Sequence, residues 1–336
     1  MYWLARRVLI AFSTLITVLT IGFLLLRIMP GNPIEAYIYQ QIAAGTPPEL
    51  AYSRAKMFYA IYPQKPILEQ YFDYIRSVFH GDFGKSFQYA GRPAMDIVAK
   101  ALPWTVFTLS IALLLQFIIG VIIGMIIAYR HGTKIESITV LVLMAWRGIP
   151  DYIVGIIVLI ILGVQLHLFP YIGEISPGVS PGPDLSQMIT FIKDVFWHAA
   201  LPIITYVIVG FPGWALAMRG STINVLGEDY IAVAEIRGLP SRRIAITYVG
   251  RNAILPLFTS FMITLGYMFG GSHFIEWLFT YRGIGYFFLS AIWQRDYAVV
   301  QACLTIEVLA VIVGVTLADV LYGLLDPRVR VAGETR

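Results

Sequence analysis

The 336-residue chain contains one cysteine, Cys303, so no disulfide can close within it and a thiolate metal site lacks ligands. Cys303 reads as a small packing residue. The five histidines, His80, His131, His167, His198 and His273, fall in separate stretches without ligand spacing. No Gly-x-Ser-x-Gly or His-Glu-x-x-His pattern occurs, which removes the common hydrolase signatures. Gly84-Lys85-Ser86 has the ending of a phosphate-binding loop, but the position five before Gly84 is Phe79 where that loop needs glycine. Charged residues make up only 13% of the chain, and no basic stripe interleaved with stacking aromatics points to nucleic acid. The expectation is a chain with no catalytic centre, metal or cofactor of its own.

What is abundant is apolar surface: 58% of residues are hydrophobic, with a mean hydropathy of +0.74. That is too much for a water-soluble domain of this length and places the chain in a bilayer. Residues 8–26, 101–129, 137–166, 199–218, 253–272 and 298–325 form apolar runs of about 20 residues or more, which as helices at about 1.5 Å per residue can cross the hydrocarbon core. The fold class expected is therefore an all-α polytopic membrane protein with six transmembrane helices. Arg6 and Arg7 precede the first run, as in a signal peptide, but the run is long and no small-residue cleavage site follows it. Arg6/Arg7, Arg130/Lys134, the arginines from 219 to 251, and Arg328/Arg330 all fall on one side of a six-span arrangement, which predicts both termini in the cytoplasm.

The domain organisation expected is an N-terminal transmembrane helix over 1–30, an extracytoplasmic loop region over 31–100, a membrane core over 101–326 and a cytoplasmic tail over 327–336. A second outer loop, 167–198, carries Gly173, Pro177, Gly178, Pro181, Gly182 and Pro183 and reads as irregular structure. Gly120 and Gly124, like Gly266 and Gly270, have the small-xxx-small spacing that lets helix backbones approach.

Three features carry functional expectations. Arg147 and Asp151 lie four apart around Gly148 and Pro150, which should kink the third span. A charge in mid-bilayer costs about 2.5 to 3.5 kcal/mol on insertion scales, so the two should face protein or water, either bracing the kink as a pair or lining a solute path. Glu307 in the last span, and Asp319 near its end, pose the same choice. The third feature is the segment from Glu228 to Pro256. Its first part, 228–238, mixes Glu228, Asp229, Glu235 and Arg237 with Tyr230, Ile231, Val233 and Ala234, and predicts a short amphipathic helix stopped at Gly238 and Pro240. With Arg219, Arg242, Arg243 and Arg251 around it, the connection belongs on the untranslocated side and presents a helix to a partner.

This segment resembles the EAA loop of ABC importer permeases, specifically the peptide/nickel branch that includes oligopeptide and dipeptide transporters. The likeness rests on Tyr230-Ile231, Ala234, Arg237-Gly238, Arg251-Asn252-Ala253 and Leu255-Pro256, with departures at Ala232, where the loop's eponymous glutamate belongs, and at Glu235 and Ile236. Further likenesses run along the chain: the Arg and Pro-Gly-Asn-Pro ending of the first helix (27, 30–33), HGDFGKSF (80–87), Gln294-Arg-Asp-Tyr297, and Leu325-Asp-Pro-Arg328. The segment 275–297 resembles the branch's outer re-entrant helix, with Arg282 where proline is usual.

The resemblance implies a type I importer fold in the cell membrane, in which this chain forms the translocation path and is not itself an enzyme. It implies a homologous second permease, two cytoplasmic ATPases that hold the ATP and magnesium, an extracytoplasmic solute-binding protein, and lipid around the complex. Residues carried over as the ATPase-coupling loop are Tyr230, Ala234, Glu235, Arg237, Gly238, Leu239, Arg242 and Arg243. The path candidates Arg147, Asp151 and Glu307 come from their charge within apolar spans and not from the resemblance, since the branch usually has small polar residues around 147–151. The solute class implied is a peptide or similarly sized molecule, with oligosaccharide and nickel as alternatives. The rival from another class is an ion-coupled secondary transporter working through Glu307, Asp319 and the Arg147/Asp151 pair; a membrane scaffold or receptor is the third.

Overall fold

The structure is a computed structural model that describes residues 2–28, 33–59, 66–86, 88–89, 91–267 and 273–325. Among these, every regular element is helical, and the single strand-like feature is an isolated bridge between Lys85 and Pro93. The order is α1 (Tyr2–Ile28), α2 (Pro33–Ala43), α3 (Pro48–Tyr59), α4 (Ile67–Phe79), α5 (Ala94–Ala128), α6 (Lys134–Arg147), α7 (Asp151–Val158), α8 (Leu185–Leu226), α9 (Asp229–Ile236), α10 (Ser241–Arg243), α11 (Arg251–Tyr267), α12 (His273–Leu278), α13 (Ile284–Trp293) and α14 (Tyr297–Leu325). Two wider π-turns extend α7 over Leu159–Gln165 and join α10 to α11 over Ile244–Gly250.

Four helices among the described residues are long and apolar enough to cross a membrane: Leu9–Ile28 of α1, α5, α8, and Tyr297–Leu317 of α14. Lys134–Arg147 and Asp151–Gln165 reach the same length and apolarity only as a pair, bent by 95° at the break between them, and make a fifth span if the two are counted as one. Gly148 and Pro150 sit in that break, so the kink expected there is a full interruption of the helix. The sixth expected segment, 253–272, is helical to Tyr267 in α11, and its end lies outside the described residues, as do Gly270 and the tail from 326 onward.

One expectation needs correction. The outer loop 167–198 is irregular only as far as Asp184; α8 begins at Leu185 and runs 42 residues. The breakers end at Pro183, and nothing in 185–198 opposes a helix. Pro202 and Pro212 then lie inside α8 without ending it.

The chain divides into two compact units. The first comprises Met1–Thr105 with Arg282–Ile312. Its core gathers Leu26, Phe83, Ala94, Val98 and Ala101 with Ile284, Ala291, Val299 and Ala302. Cys303 is fully buried there, its Sγ 3.9 Å from the Ile284 carbonyl. The second unit comprises Val106–Tyr281 with Val313–Arg336. There Leu113 and Phe117 of α5, Met218 of α8, and Ala253, Leu257 and Phe261 of α11 form one cluster, with the Phe117 ring 5.1 Å from Trp214 and 4.7 Å from Phe261. Gly120 and Gly124 lie directly against α8: a side chain at Gly120 would strike Trp214 and Phe211, and one at Gly124 would strike Ala215 and Met218. The small-xxx-small pair is thus a backbone-to-backbone contact.

Candidate functional site

In the second unit, α8 passes through Gly227 directly into α9. Glu228 and Asp229 stand at the α9 N-terminus, where negative charge complements the helix dipole. The helix ends in a Schellman arrangement: Gly238 takes φ +69°, its N–H donates to the Glu235 carbonyl at 2.8 Å, and the Leu239 N–H donates to the Ala234 carbonyl at 3.3 Å. A Cβ is costly at that φ, which accounts for glycine. The reversal folds Leu239 back beside Ala234, into a cluster with Ile231, Ile244, Val249 and Tyr248.

That cluster uses one side of α9 and leaves the other open. Tyr230, Val233 and Ile236 recur at i, i+3 and i+6 and are exposed, Ile236 by 86%. Glu235, Arg237, Arg242 and Arg243 are exposed beside them. No ion pair among the described residues engages these arginines. The result is an outward apolar stripe bordered by cationic groups on a helix anchored from behind.

The anchor includes a residue of the Arg-Asn-Ala triplet not singled out from sequence. The Asn252 amide donates to the Tyr230 hydroxyl at 3.0 Å and to the Tyr248 carbonyl at 2.8 Å, tying the start of α9 to the turn before α11. Ser221 of α8 donates to the Ala253 carbonyl at 2.7 Å.

A second group absent from the sequence expectations lies close by on α8, where Arg219 meets the first turn of α6. Glu136, only 4% exposed, accepts hydrogen bonds from Arg219 Nε at 2.8 Å and from the Gly132 N–H at 2.7 Å, with His131 Nδ1 at 3.0 Å and a further contact to Arg219 Nη2. Thr133 caps α6 by accepting from the Glu136 N–H at 3.3 Å. Thr-x-x-Glu is a capping-box spacing that could have been read directly; its union with Arg219, 83 positions away, could not.

The path candidates separate. Arg147 closes α6 and Asp151 opens α7, and no ion pair joins them among the described residues. Each instead complements the dipole of its own helix end, cation at a C-terminus and anion at an N-terminus. The Arg147 guanidinium lies over Gly213 of α8, 3.7 Å from where a Cβ would sit. Glu307 is buried within the first unit; the Asp319 side chain lies outside the described residues.

The Gly84-Lys85-Ser86 turn, in the first unit, is occupied structurally. Ser86 is fully buried; its hydroxyl donates to Asp296 at 2.5 Å and accepts from the Tyr89 N–H at 3.0 Å. Asp296 is also fully buried, accepts from the Gln88 N–H at 3.2 Å, and stands just before α14. Burial, with Tyr286 and Asp296 nearby, pushes the Tyr89 phenol up to about 12. The Gly84-Lys85-Ser86 turn and the residue just before α14 are halves of one clasp.

With that geometry in hand, the comparisons with known proteins are specific. The chain is 31% identical over 329 residues to the Oligopeptide transport system permease protein OppB of Escherichia coli (strain K12), covering 98% of this chain and 99% of that one. It is 32% identical over 330 residues to the OppB protein of Salmonella typhimurium (strain LT2), with 98% and 99% covered. It is 27% identical over 328 residues to the Oligopeptide transport system permease protein AppB of Bacillus subtilis (strain 168), with 97% and 98% covered. Residues 120–331, which include α8, α9 and the turn beyond, match the family described as the binding-protein-dependent transport system inner membrane component. The chain belongs to that family.

Proposed function

We propose that this chain is the permease subunit of an ABC importer for peptides or solutes of similar size. The observation that carries this reading is the α9 segment: a helix fixed from behind by Ile231, Ala234, Leu239 and Asn252, with Tyr230, Val233, Ile236 and three arginines left outward. An apolar stripe of this kind gains roughly 1.5–3 kcal/mol for each large side chain that a partner groove fully covers. The oligopeptide permeases it matches over nearly their whole length point to the solute class.

In this reading α9 seats in a cytoplasmic ATPase, the two termini are cytoplasmic, and 31–100 faces the opposite side with a solute-binding protein. A second, homologous permease completes the path, and ATP with its magnesium resides in the two ATPase subunits. Ala234 and Leu239 hold the helix in place, Gly238 permits its reversal, and Glu235, Arg237, Arg242 and Arg243 supply the polar rim. ATP binding that favours closed ATPases shifts the permease between inward- and outward-facing states, because nucleotide binds the two states unequally. Arg147 and Asp151, at the break between α6 and α7, are the path residues whose charges remain open to solute. Glu307, buried, is assigned to the path only through its place in α14.

The test is to tag the chain in its native host, solubilise it gently and identify what remains bound by mass spectrometry. ATPase subunits and a second permease in fixed ratio, with uptake lost when Arg242 and Arg243 are reversed to glutamate, are the expected result. Uptake that follows an ion gradient and needs no ATPase would replace this reading with an ion-coupled carrier.

A further inference from the structure

α6 and α8 are fastened at two separated points. Near the start of α6, Glu136 is held by Arg219 of α8. Near its end, Trp146 Nε1 donates to the Ile208 carbonyl of α8 at 3.1 Å. The second bond has a cause in the sequence of α8. Residue 212 is proline, which has no N–H to give the carbonyl four positions earlier, and that carbonyl belongs to Ile208. Pro212 therefore frees an acceptor on the face of α8, and the Trp146 indole fills it.

The spacings agree. From 136 to 146 on α6 is ten residues and from 208 to 219 on α8 is eleven, so each helix covers about 15 to 17 Å between the fastenings. Between them Leu143 of α6 packs with Ala215 of α8, Val140 and Phe211 fill the same cluster, and the Arg147 guanidinium covers Gly213. Beyond Arg219, α8 reaches Leu226 and then α9; beyond Trp146, α6 ends in the 95° break.

We infer that Glu136, Arg219 and Trp146 are positioning residues that lock α6, the second half of α8 and α9 into one lever, so that movement of α9 reaches the break at 148–150 undiminished. This rests on the reading of α9 as the ATPase contact. Two fastenings are what the role requires, since a single contact would let α6 swivel on α8. The Glu136 carboxylate is the costlier one to disturb, because losing its charge leaves the Arg219 guanidinium at a largely buried site without its counter-ion.

The experiment uses the assembled importer in proteoliposomes with its binding protein, and reads ATP hydrolysed per solute taken up, ATPase retained on purification, and thermal stability. Glu136→Gln should raise ATP spent per solute by at least about 5-fold with ATPase retention unchanged, the lower end of ordinary coupling energies. The double exchange Glu136→Arg with Arg219→Glu should recover part of the coupling lost by either single change, as a restored pair predicts, the contacts of Glu136 to the Gly132 N–H and His131 remaining lost. Trp146→Phe, which keeps the ring and removes the donor, should raise the ratio by a smaller factor. A purely structural role would lower thermal stability and leave the ratio at the parent value, and that result overturns the inference. If Glu136→Gln does not assemble, Trp146→Phe decides the matter in the same way. Spin labels on Lys134→Cys and Asn224→Cys give an independent check: a separation constant between nucleotide-free and ATP-bound complexes is expected, and a change of several ångströms overturns the lever. Failure of the underlying reading looks different, since the parent chain would then retain no ATPase at all.

Discussion

The turn at 84–89 and the segment at 228–243 each set polar residues around one glycine of positive φ, and the structure treats them in opposite ways. In the first, Ser86 and Asp296 are fully buried and bonded to each other and to the Gln88 and Tyr89 amides. In the second, Tyr230, Val233, Ile236, Arg237, Arg242 and Arg243 all remain outside. A turn whose polar atoms are consumed internally is architecture, because a buried donor or acceptor must be satisfied and, once satisfied, has little left to offer. An apolar stripe left in the open, beside arginines that no ion pair engages among the described residues, keeps its capacity for contact. The difference lies in where the bonding capacity ends up, and composition does not report that.

The contrast can be broken by variants that move one property without the other. The largest expected effect is from Asp296→Ala, which strands the Ser86 hydroxyl and removes the carboxylate before α14. The cost should be about 3 kcal/mol of stability, seen as a lower melting temperature or lost expression. The surviving protein should bind its ATPase as the parent does. Next comes Ile236→Asp, with no folding cost expected at a site already 86% exposed. ATPase affinity should fall by about 2 kcal/mol, roughly 30-fold, in a direct binding titration. If Ile236→Asp instead lowered stability and left binding intact, α9 would belong with the clasp.

Smaller effects sharpen the comparison further. Gly238→Ala places a Cβ at φ +69° and should cost about 1 kcal/mol, with transport reduced more than stability because the Leu239 reversal is what aims α9. Tyr230→Phe should cost about 0.5–1 kcal/mol, since Asn252 keeps its bond to the Tyr248 carbonyl while losing the phenol. The check for both is the ratio of uptake to ATP hydrolysis set against melting temperature.

Much of this was legible from residues alone. Long uncharged runs leave helices as the only way to satisfy backbone groups in lipid, so the all-α class and most span positions followed directly. The α9 helix and its stop at Gly238-Leu239-Pro240 were readable because caps and stops are local chemistry. The 185–198 helix is hard to see in the sequence because it directly follows the Gly and Pro cluster of 173–183, a loop signal that ends at Pro183. The Arg147/Asp151 pairing was an inference from i, i+4 spacing within one helix; the break at 148–150 ends that helix and assigns each charge to a different terminus.

Local chemistry thus sufficed for the apolar runs, the helices and the stop of α9 at Gly238, since each depends on a few neighbouring residues. Packing alone could pair Ser86 with Asp296, Glu136 with Arg219, and Trp146 with the carbonyl that Pro212 leaves free. Those partners lie 210, 83 and 62 positions apart, and a hydrogen bond between distant residues exists only once the helices carrying them have been brought side by side.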